Sequence, residues 1–426
     1  MLVARPSPRV LACGLAVQIL LVCLSHFPRE RALIGDEVGY LTNAARIVAG
    51  NPAPPDFVFP PLYEHLVAAT GPRPLAVEIL QSALFLASGL LLHRLLSLAG
   101  LPRLACDAGL LLFYLDPEVA AFTQYLRPEI PHLFLMLVAL SILFASNPST
   151  RTLFLAGACL GATLLLKSLL LPFLPVLAVA AVLRPPASGR KLASVLSLSA
   201  GLAATTLPVA AWNGLHHGSF TIASSGTFNL WVGLNDPASK TDYDTVPGRE
   251  MPRYLASAPT PEGRNAILRA ALREKVSTDG AWPLLKGQLA KQYFRLLDHT
   301  SYFTDSLPGG RFDPGAPRSR LTPVLRLWSD TAYAVLLVLS ALGIASVTRR
   351  ELRGAWGLAG LFLAFNFGLF LFLHVKTRFR IPFLPALVFF AALAVARLAE
   401  RSIAPRRAVA GSALAAGLLY LAFAKM

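Results

Sequence analysis

The stretch that decides the fold runs from position 152 to 183 and reads TLFLAGACLGATLLLKSLLLPFLPVLAVAAVL. It is 32 residues long, and Lys167 is its only charged residue. A helix needs about 20 apolar residues to cross the hydrocarbon core of a bilayer. The stretch is therefore too long for one ordinary span and short for two. Together with Pro172, Lys167 predicts a tight hairpin or a broken helix.

Similar apolar runs recur along the whole chain. Of its 426 residues, 55% are hydrophobic and 15% are charged, and the mean hydropathy is +0.57. A soluble protein of this length usually carries about 25% charged residues, so we predict an all-α polytopic membrane protein with about eleven transmembrane helices. The predicted spans lie near 10–27, 75–98, 104–121, 130–146, 152–166, 168–183, 192–211, 326–347, 354–374, 381–397 and 408–424.

The distribution of positive charge predicts the orientation of these spans. Arg5 and Arg9 precede the first apolar run, and no small-x-small cleavage site follows it, so an uncleaved first helix is favoured over a signal peptide. Lys and Arg in the short loops place the N-terminus in the cytoplasm, and an odd number of spans places the C-terminus outside. The net charge of +16 is thus mainly a topology signal, and nucleic-acid binding is not expected. The excess of Arg over Lys favours a bacterial cytoplasmic (inner) membrane.

Two long segments then face the outside. The first lies within the N-terminal part of the chain, and the longer one separates that part from the C-terminal helices. The longer outer segment carries a helical apolar pattern over 261–297 that Gly280 and Pro283 are expected to interrupt. We therefore expect it to form a small, mainly helical extracytoplasmic domain. The predicted parts are an N-terminal transmembrane module, 1–211, with a catalytic first outer loop, 28–74; the extracytoplasmic domain, 212–325; and C-terminal transmembrane helices, 326–426.

The first outer loop contains the sequence Gly35-Asp36-Glu37-Val38-Gly39-Tyr40-Leu41-Thr42-Asn43. Asp36, Tyr40 and Asn43 follow i, i+4, i+7 spacing, which places them on one face of a helix. A carboxylate beside apolar surface at a membrane interface can be tuned to act as a general base. By spacing alone, an ordinary solvated loop acid or an N-cap of the helix that follows is the favoured explanation of Asp36.

Basic residues on the outer side form a second group. Lys167 lies near the predicted turn, and Lys376, Arg378 and Arg380 follow the ninth span. The positive-inside rule disfavours such a cluster outside. A bound phosphate would compensate for it, since Arg binds phosphate with two parallel hydrogen bonds. The alternative is that these side chains extend towards lipid phosphates at the interface.

Further polar residues lie within or beside the predicted spans, where ionisable groups are costly and are candidates for function. Residues that face water at the loops would need no such explanation. The candidates are Glu78, Gln81, Asp116, Glu118, Arg127, Glu129 and His132.

Several enzyme classes lose support because their motifs are missing from the sequence. There is no P-loop, no GxGxxG after a strand, no HExxH and no GxSxG. The four cysteines lie in or beside apolar runs and have no metal-binding or redox spacing. ATP-driven transport and zinc proteolysis are therefore unsupported.

Taken together, four ordered pieces of the sequence resemble the GT-C superfamily of polytopic glycosyltransferases. The likeness is greatest to the branch of protein O-mannosyltransferases and lipid A aminoarabinose transferases. The pieces are Asp36-Glu37 with Tyr40 and then Pro60-Pro61-Leu62-Tyr63; Gly157 to Lys167; Trp212-Asn213, Asn229-Leu230-Trp231-Val232-Gly233 and Asn235-Asp236-Pro237; and Arg378-Phe379-Arg380-Ile381-Pro382.

This resemblance implies an inverting transfer of a sugar from a polyprenyl-phosphate donor to a hydroxyl of a lipid, glycan or protein on the outer face of the membrane. By resemblance, Asp36 matches the candidate general base, and Glu37 is its catalytic partner. No cofactor is implied, although the two acids leave a divalent cation possible. The implied substrate-binding residues are Tyr40, Tyr63, Lys167, Arg378, Arg380 and Glu129.

One position departs from the family pattern. Several members carry a basic residue directly before the Pro-Pro pair, where this chain has Phe59. The phosphate charge would then have to be met by Lys167 and the two arginines. A polymerase or ligase that uses lipid-diphosphate-linked glycans and a lipid-linked sugar transporter are the alternatives. The transporter would require inverted repeats, and none is visible.

Overall fold

A computed structural model describes residues 5–26, 33–51, 58–145, 148–183, 191–237, 245–307, 309–313, 315 and 318–424. These residues form α-helices and short 3₁₀ helices, with no strand among them. The all-α class predicted from the sequence is therefore confirmed for this part of the chain. Positions 28–32 and 52–57 of the predicted first outer loop, and 238–244 of the second, lie outside the described residues.

The helices are grouped in three parts along the chain. The predicted boundaries at 211/212 and 325/326 stay a prediction, since the helices Lys191–His217 and Leu321–Ser346 extend across them. The first part contains α1 (Pro8–His26), α2 (Asp36–Val48), α3 (Leu62–Ala69), α4 (Pro74–Leu98), α5 (Arg103–Leu115), α6 (Pro117–Ala121), α7 (Glu129–Leu143), α8 (Thr150–Leu166), α9 (Leu174–Leu183) and α10 (Lys191–His217). The second contains α11 (Gly226–Asn235), α12 (Thr245–Ala256), α13 (Pro261–Asp279), α14 (Ala281–Leu296) and α15 (Tyr302–Asp305). The last contains α16 (Leu321–Ser346), α17 (Ala355–Phe370), α18 (Leu384–Ala399) and α19 (Pro405–Phe423).

Four of these helices are long and apolar enough to cross a membrane, namely α1, α4, α10 and α16. A fifth span would be the pair Pro117–Gln124 and Glu129–Leu143, which bends by 116° at its break. Each of the other predicted spans coincides with at least one further helix. The chain is thus a helical protein with several membrane-crossing helices, while the count of eleven stays a prediction.

The predicted break in the 152–183 stretch is confirmed. Helix α8 ends at Leu166, and Lys167 has an extended backbone with φ −151° and ψ 120°. A 3₁₀ helix, Ser168–Phe173, containing Pro172, then leads into α9. The extended residue lets the chain turn, so that Lys167 lies at the end of a helix and not inside one.

Helices α8 and α10 pack closely because three glycines lie at their contact. A Cβ atom on Gly157 would overlap the backbone of Leu198, one on Gly161 would overlap the Thr205 side chain, and one on Gly201 would overlap the backbone of α8. Small residues of this kind let helix backbones approach each other where apolar burial alone gives little drive for association in lipid.

The second part packs against the C-terminal helices through α14, which contacts α17 and α19. The break expected at Gly280 is confirmed: Gly280 has φ 80°, ends α13 and precedes α14. A Cβ atom on Gly233 of α11 would overlap the backbone of 372–374. This close approach brings the second part against the segment that follows α17.

Candidate active site

Asp36 is the first residue of α2. The preceding residue, Gly35, has φ 56°, a left-handed conformation that favours glycine. The Asp36 side chain is 52% exposed, and its Oδ2 accepts a hydrogen bond from Arg378 Nη1 at 2.9 Å. Arg127 Nη1 lies 3.5 Å from the same oxygen. The sequence-predicted base is therefore accessible and held between two guanidinium groups.

Glu129 links the same arginine to the end of α8. Lys167 Nζ donates to Glu129 Oε1 at 2.9 Å, and Arg378 Nε lies 3.7 Å from that oxygen. We call Asp36, Glu129, Arg127, Lys167 and Arg378 the charged cluster. Its three cations and two carboxylates give it a formal charge of +1.

Aromatic rings surround the charged cluster. Lys167 Nζ lies 5.2 Å from the centre of the Phe379 ring, and the Arg127 guanidinium carbon lies 5.0 Å from that of Tyr302. Such cation–π contacts hold the cationic groups in place with partial desolvation.

Tyr40 packs edge to face on Tyr63, with ring centres 4.8 Å apart. Burial raises the pKa of Tyr40 well above its usual value, and the negative charges of Asp36 and Glu129 raise it further. Its phenol is therefore a neutral hydrogen-bond donor beside the charged cluster.

Glu37 lies next to Asp36 in sequence but makes different contacts. It is fully buried and forms a bidentate pair with Arg311, at 2.9 Å to Oε1 and 2.5 Å to Oε2. Its carboxylate also accepts from the backbone N–H groups of Ile34 and Leu126, at 3.0 and 2.7 Å. These four bonds connect α2 to Arg311 of the second outer segment, to Ile34 just before α2 and to the turn before α7.

Tyr63 lies in the protein interior, packed against Tyr40 of α2. Its hydroxyl donates to Gln81 Oε1 at 2.9 Å. The Gln81 amide in turn donates to the carbonyls of Thr123 and Tyr125, at 3.0 and 2.8 Å. The tyrosine is fully buried and connects α3, α4 and the bent region before α7.

The structure gives Arg378 and Arg380 different surroundings, although both lie in the 3₁₀ helix Thr377–Arg380. Arg380 is 2% exposed. It donates to the carbonyl of Asp298, and its guanidinium carbon lies 4.2 Å from the centre of the Tyr333 ring. The buried carboxylates of Asp116 and Glu118 supply its nearby negative charge. Among the described contacts, only Arg378 of the pair joins the charged cluster.

A buried group of side chains holds the segment before Arg378. Asp236 Oδ2 lies 2.7 Å from His374 Nδ1 and 3.4 Å from Arg295 Nη1. Lys291 Nζ donates to the Asp236 carbonyl at 2.7 Å. Burial, together with the neighbouring Arg295, lowers the pKa of Lys291 to about 8. This group connects α11 and α14 to His374, four residues before Arg378.

An apolar groove lies among α4, α7, α9, α17 and α18. All of its lining side chains are apolar, and they include Met136, Leu140, Leu170, Phe173, Phe362 and Phe389. Met136 lies seven residues after Glu129, or about 10 Å along α7, and Leu170 lies three residues after Lys167. Helix α7, which supplies Glu129, and the 3₁₀ helix that directly follows Lys167 thus also form walls of the groove.

Sequence reasoning missed part of this arrangement. Arg127 was one of several polar residues near the second outer loop, with nothing to separate it from the others. Tyr302 and Arg311 carried no signal, because their partners Arg127 and Glu37 lie more than 170 positions away along the chain. Within the described ranges, no group of three or more His, Cys, Asp or Glu side chains is arranged to hold a metal ion.

No protein-family model matches the sequence, and no curated protein matches it. A solved structure of the archaeal oligosaccharyltransferase AglB from Archaeoglobus fulgidus, in complex with an inhibitory peptide and a dolichol-phosphate, is similar with a TM-score of 0.48 and 13% identity. The match covers 97% of this chain and 55% of that one, so this chain spans about half the length of AglB.

Proposed function

We propose that this protein is an inverting glycosyltransferase that moves a sugar from a polyprenyl-phosphate donor to an acceptor hydroxyl on the outer face of the membrane. The carrying observation is the charged cluster, in which the accessible Asp36 carboxylate lies 2.9 Å from Arg378 and which shares two helical segments with an apolar groove. An enzyme that uses a lipid-phosphate-linked sugar needs three elements. These are a carboxylate that takes the acceptor proton, fixed cations for the phosphate and an apolar groove for the lipid.

The formal charge of the charged cluster favours a lipid donor with one phosphate over a donor with two. The charged cluster carries a formal charge of +1. A sugar joined to a lipid by one phosphate is a monoanion, whereas a diphosphate-linked glycan carries about two negative charges. Burying uncompensated charge is costly, so the cluster matches the monophosphate donor better. This supports the transferase over a polymerase that uses diphosphate donors.

In the proposed reaction, the acceptor oxygen forms a bond with the anomeric carbon as the bond from that carbon to the phosphate oxygen breaks. The bonding electrons leave with the phosphate, where Arg378, Lys167 and Arg127 stabilise the growing negative charge. Asp36 takes the acceptor proton. A phosphate that binds Arg378 competes with Asp36 for the guanidinium and so leaves the carboxylate freer to accept that proton.

The other sequence-predicted residues receive distinct roles in this proposal. Tyr40 and Glu129 border the sugar and phosphate positions. Glu37, Tyr63 and Arg380 act as positioning residues, because their polar groups bond to buried partners. The acceptor is a lipid, glycan or protein, no nucleic acid takes part, and a cofactor is not required, although a divalent cation stays compatible with the acids.

The test uses bacterial inner-membrane vesicles that contain the wild type or Asp36→Asn. Radiolabelled undecaprenyl-phosphate sugars are supplied as a panel, and the label is followed into lipid, glycan and protein fractions. We expect transfer from one donor by the wild type only. Transfer only from diphosphate-linked donors, or sugar movement across the membrane without transfer, would refute the proposal.

A further inference from the structure

His132 is a buried residue that the proposed mechanism does not yet use. It lies on α7, one turn after Glu129, and is 1% exposed. Neither of its ring nitrogens has a hydrogen-bond partner among the described residues. A buried polar group without a partner destabilises the folded state, so such a residue calls for an explanation.

The position of His132 on α7 suggests an explanation for its unpartnered ring nitrogens. It follows Glu129 by three residues and precedes Met136 by four, so the three side chains lie along one face of α7. Glu129 belongs to the charged cluster, and Met136 lines the apolar groove. His132 therefore lies at the junction between the two, and the charge of Lys167 acts on its ring.

Three residues of the charged cluster also have buried polar atoms that form no hydrogen bond with the described residues. These atoms are Glu129 Oε2, Arg127 Nε and Arg378 Nε. The charged cluster meets the apolar groove through α7 and through the 3₁₀ helix after Lys167. A ligand with a polar head and an apolar tail would satisfy the head groups and fill the groove together.

We propose that His132 binds the phosphate of the lipid donor, donating a ring N–H to a phosphate oxygen where the phosphate joins the lipid chain. The proposal rests on the proposed function, since it assumes a lipid phosphate in the charged cluster. It adds a contact to the leaving group of the proposed reaction. The ligand class is a monophosphate ester of a long apolar alcohol.

The test measures binding and stability separately in purified full-length protein. Undecaprenyl phosphate and undecaprenol are titrated into wild type, His132→Leu and His132→Gln. A hydrogen bond to a charged group predicts roughly tenfold or greater weakening of phosphate binding in His132→Leu. Undecaprenol binding should not change, and His132→Gln, which keeps an N–H donor, should lose less.

The melting temperature without lipid distinguishes a binding role from a structural one. Leucine removes two unpaired polar atoms from the interior, so His132→Leu should melt at the same or a higher temperature than the wild type. A structural histidine would instead give a lower melting temperature. Ser141→Ala is the matched control, because Ser141 is another buried α7 residue whose side chain has no partner among the described residues; we expect no change in phosphate binding.

Arg378→Ala separates failure of this inference from failure of the proposed function. If Arg378→Ala weakens phosphate binding and both His132 variants bind like the wild type, the His132 contact is wrong and the proposed function stands. If phosphate binding does not depend on Arg378 either, the lipid-phosphate site itself is wrong. Should His132→Leu not fold, His132→Ala, which also lacks the N–H donor, replaces it in the comparison.

Discussion

Arg378 Nη1 lies 2.9 Å from Asp36 Oδ2, although 342 positions separate the two residues in the sequence. The contact joins the first turn of α2 to the 3₁₀ helix that precedes α18. It brings together the candidate base and the principal candidate phosphate ligand. In the proposed reaction, one residue receives the acceptor proton and the other stabilises the leaving group.

Asp36→Asn tests the base directly. Loss of a general base costs about 10²- to 10⁴-fold in rate, and we expect transfer to fall by at least about 100-fold while the protein still folds and inserts. Transfer of label from the donor sugar measures the effect. Asp279→Asn is the control, since Asp279 is an exposed acid on α13 that pairs only with Lys275 among the described ion pairs; equal losses in both variants would remove Asp36 as the base.

Arg378→Ala and Arg380→Ala should differ, although sequence reasoning treats the two arginines alike. Arg378→Ala should raise the KM for the lipid donor by roughly tenfold or more, since it removes a charged hydrogen-bond donor from the cluster. Arg380→Ala should mainly lower the melting temperature, because it leaves buried Asp116 and Glu118 without their nearby cation. Steady-state kinetics and thermal unfolding measure the two effects, and a donor KM raised equally in both variants would contradict the separation.

Glu37→Gln tests whether this acid holds the fold or takes part in the chemistry. Breaking a buried ion pair costs about 3–5 kcal/mol, so the free energy of unfolding should fall, and a double-mutant cycle with Arg311 should show strong coupling. Glu250→Gln is the control, because Glu250 pairs with two exposed arginines and surface pairs contribute about 0–1 kcal/mol. Unchanged stability with lost activity would return Glu37 to a catalytic role.

Gly161→Val should prevent normal packing of α8 against α10. A Cβ atom at this position would overlap the Thr205 side chain, so the helices would have to separate, and the yield of folded protein should fall sharply. The matched control is Gly417→Ala in α19, where a Cβ atom would meet nothing within 4 Å. Size-exclusion profiles and melting temperatures compare the two, and a normal profile for Gly161→Val would contradict the close contact.

Glu64 should make stability depend on pH. Burial raises its pKa above the usual 4.5, although the hydrogen bond from Asn43 opposes this. The folded state then holds the proton more tightly than the unfolded chain. The stabilising contribution is therefore present below pH 4.5 and is lost as the pH rises through the folded pKa. Glu64→Gln should flatten this dependence in melting curves, and an unchanged slope would show that the shift is absent.

The sequence by itself determined the helical class, the positions of most helices and several of their breaks. These features are local, because apolar run length, a lysine with a nearby proline and a glycine before a helix act within a few residues. The break at Lys167 and the one at Gly280 were both predicted in this way. The sequence also identified Asp36, Lys167, Arg378 and Glu129 as candidates, since charged residues beside membrane spans are few.

The tertiary structure decided how these candidates are used. Asp36 and Glu37 are neighbours, yet one is half exposed beside Arg378 and the other is buried against Arg311. Arg378 and Arg380 differ in the same way, because Arg378 contacts Asp36 and Arg380 is buried against Tyr333. Successive residues of a helix point in directions about 100° apart, so their partners depend on which distant elements pack on each side. That packing is fixed by contacts hundreds of residues apart in the chain, and no local pattern contains it.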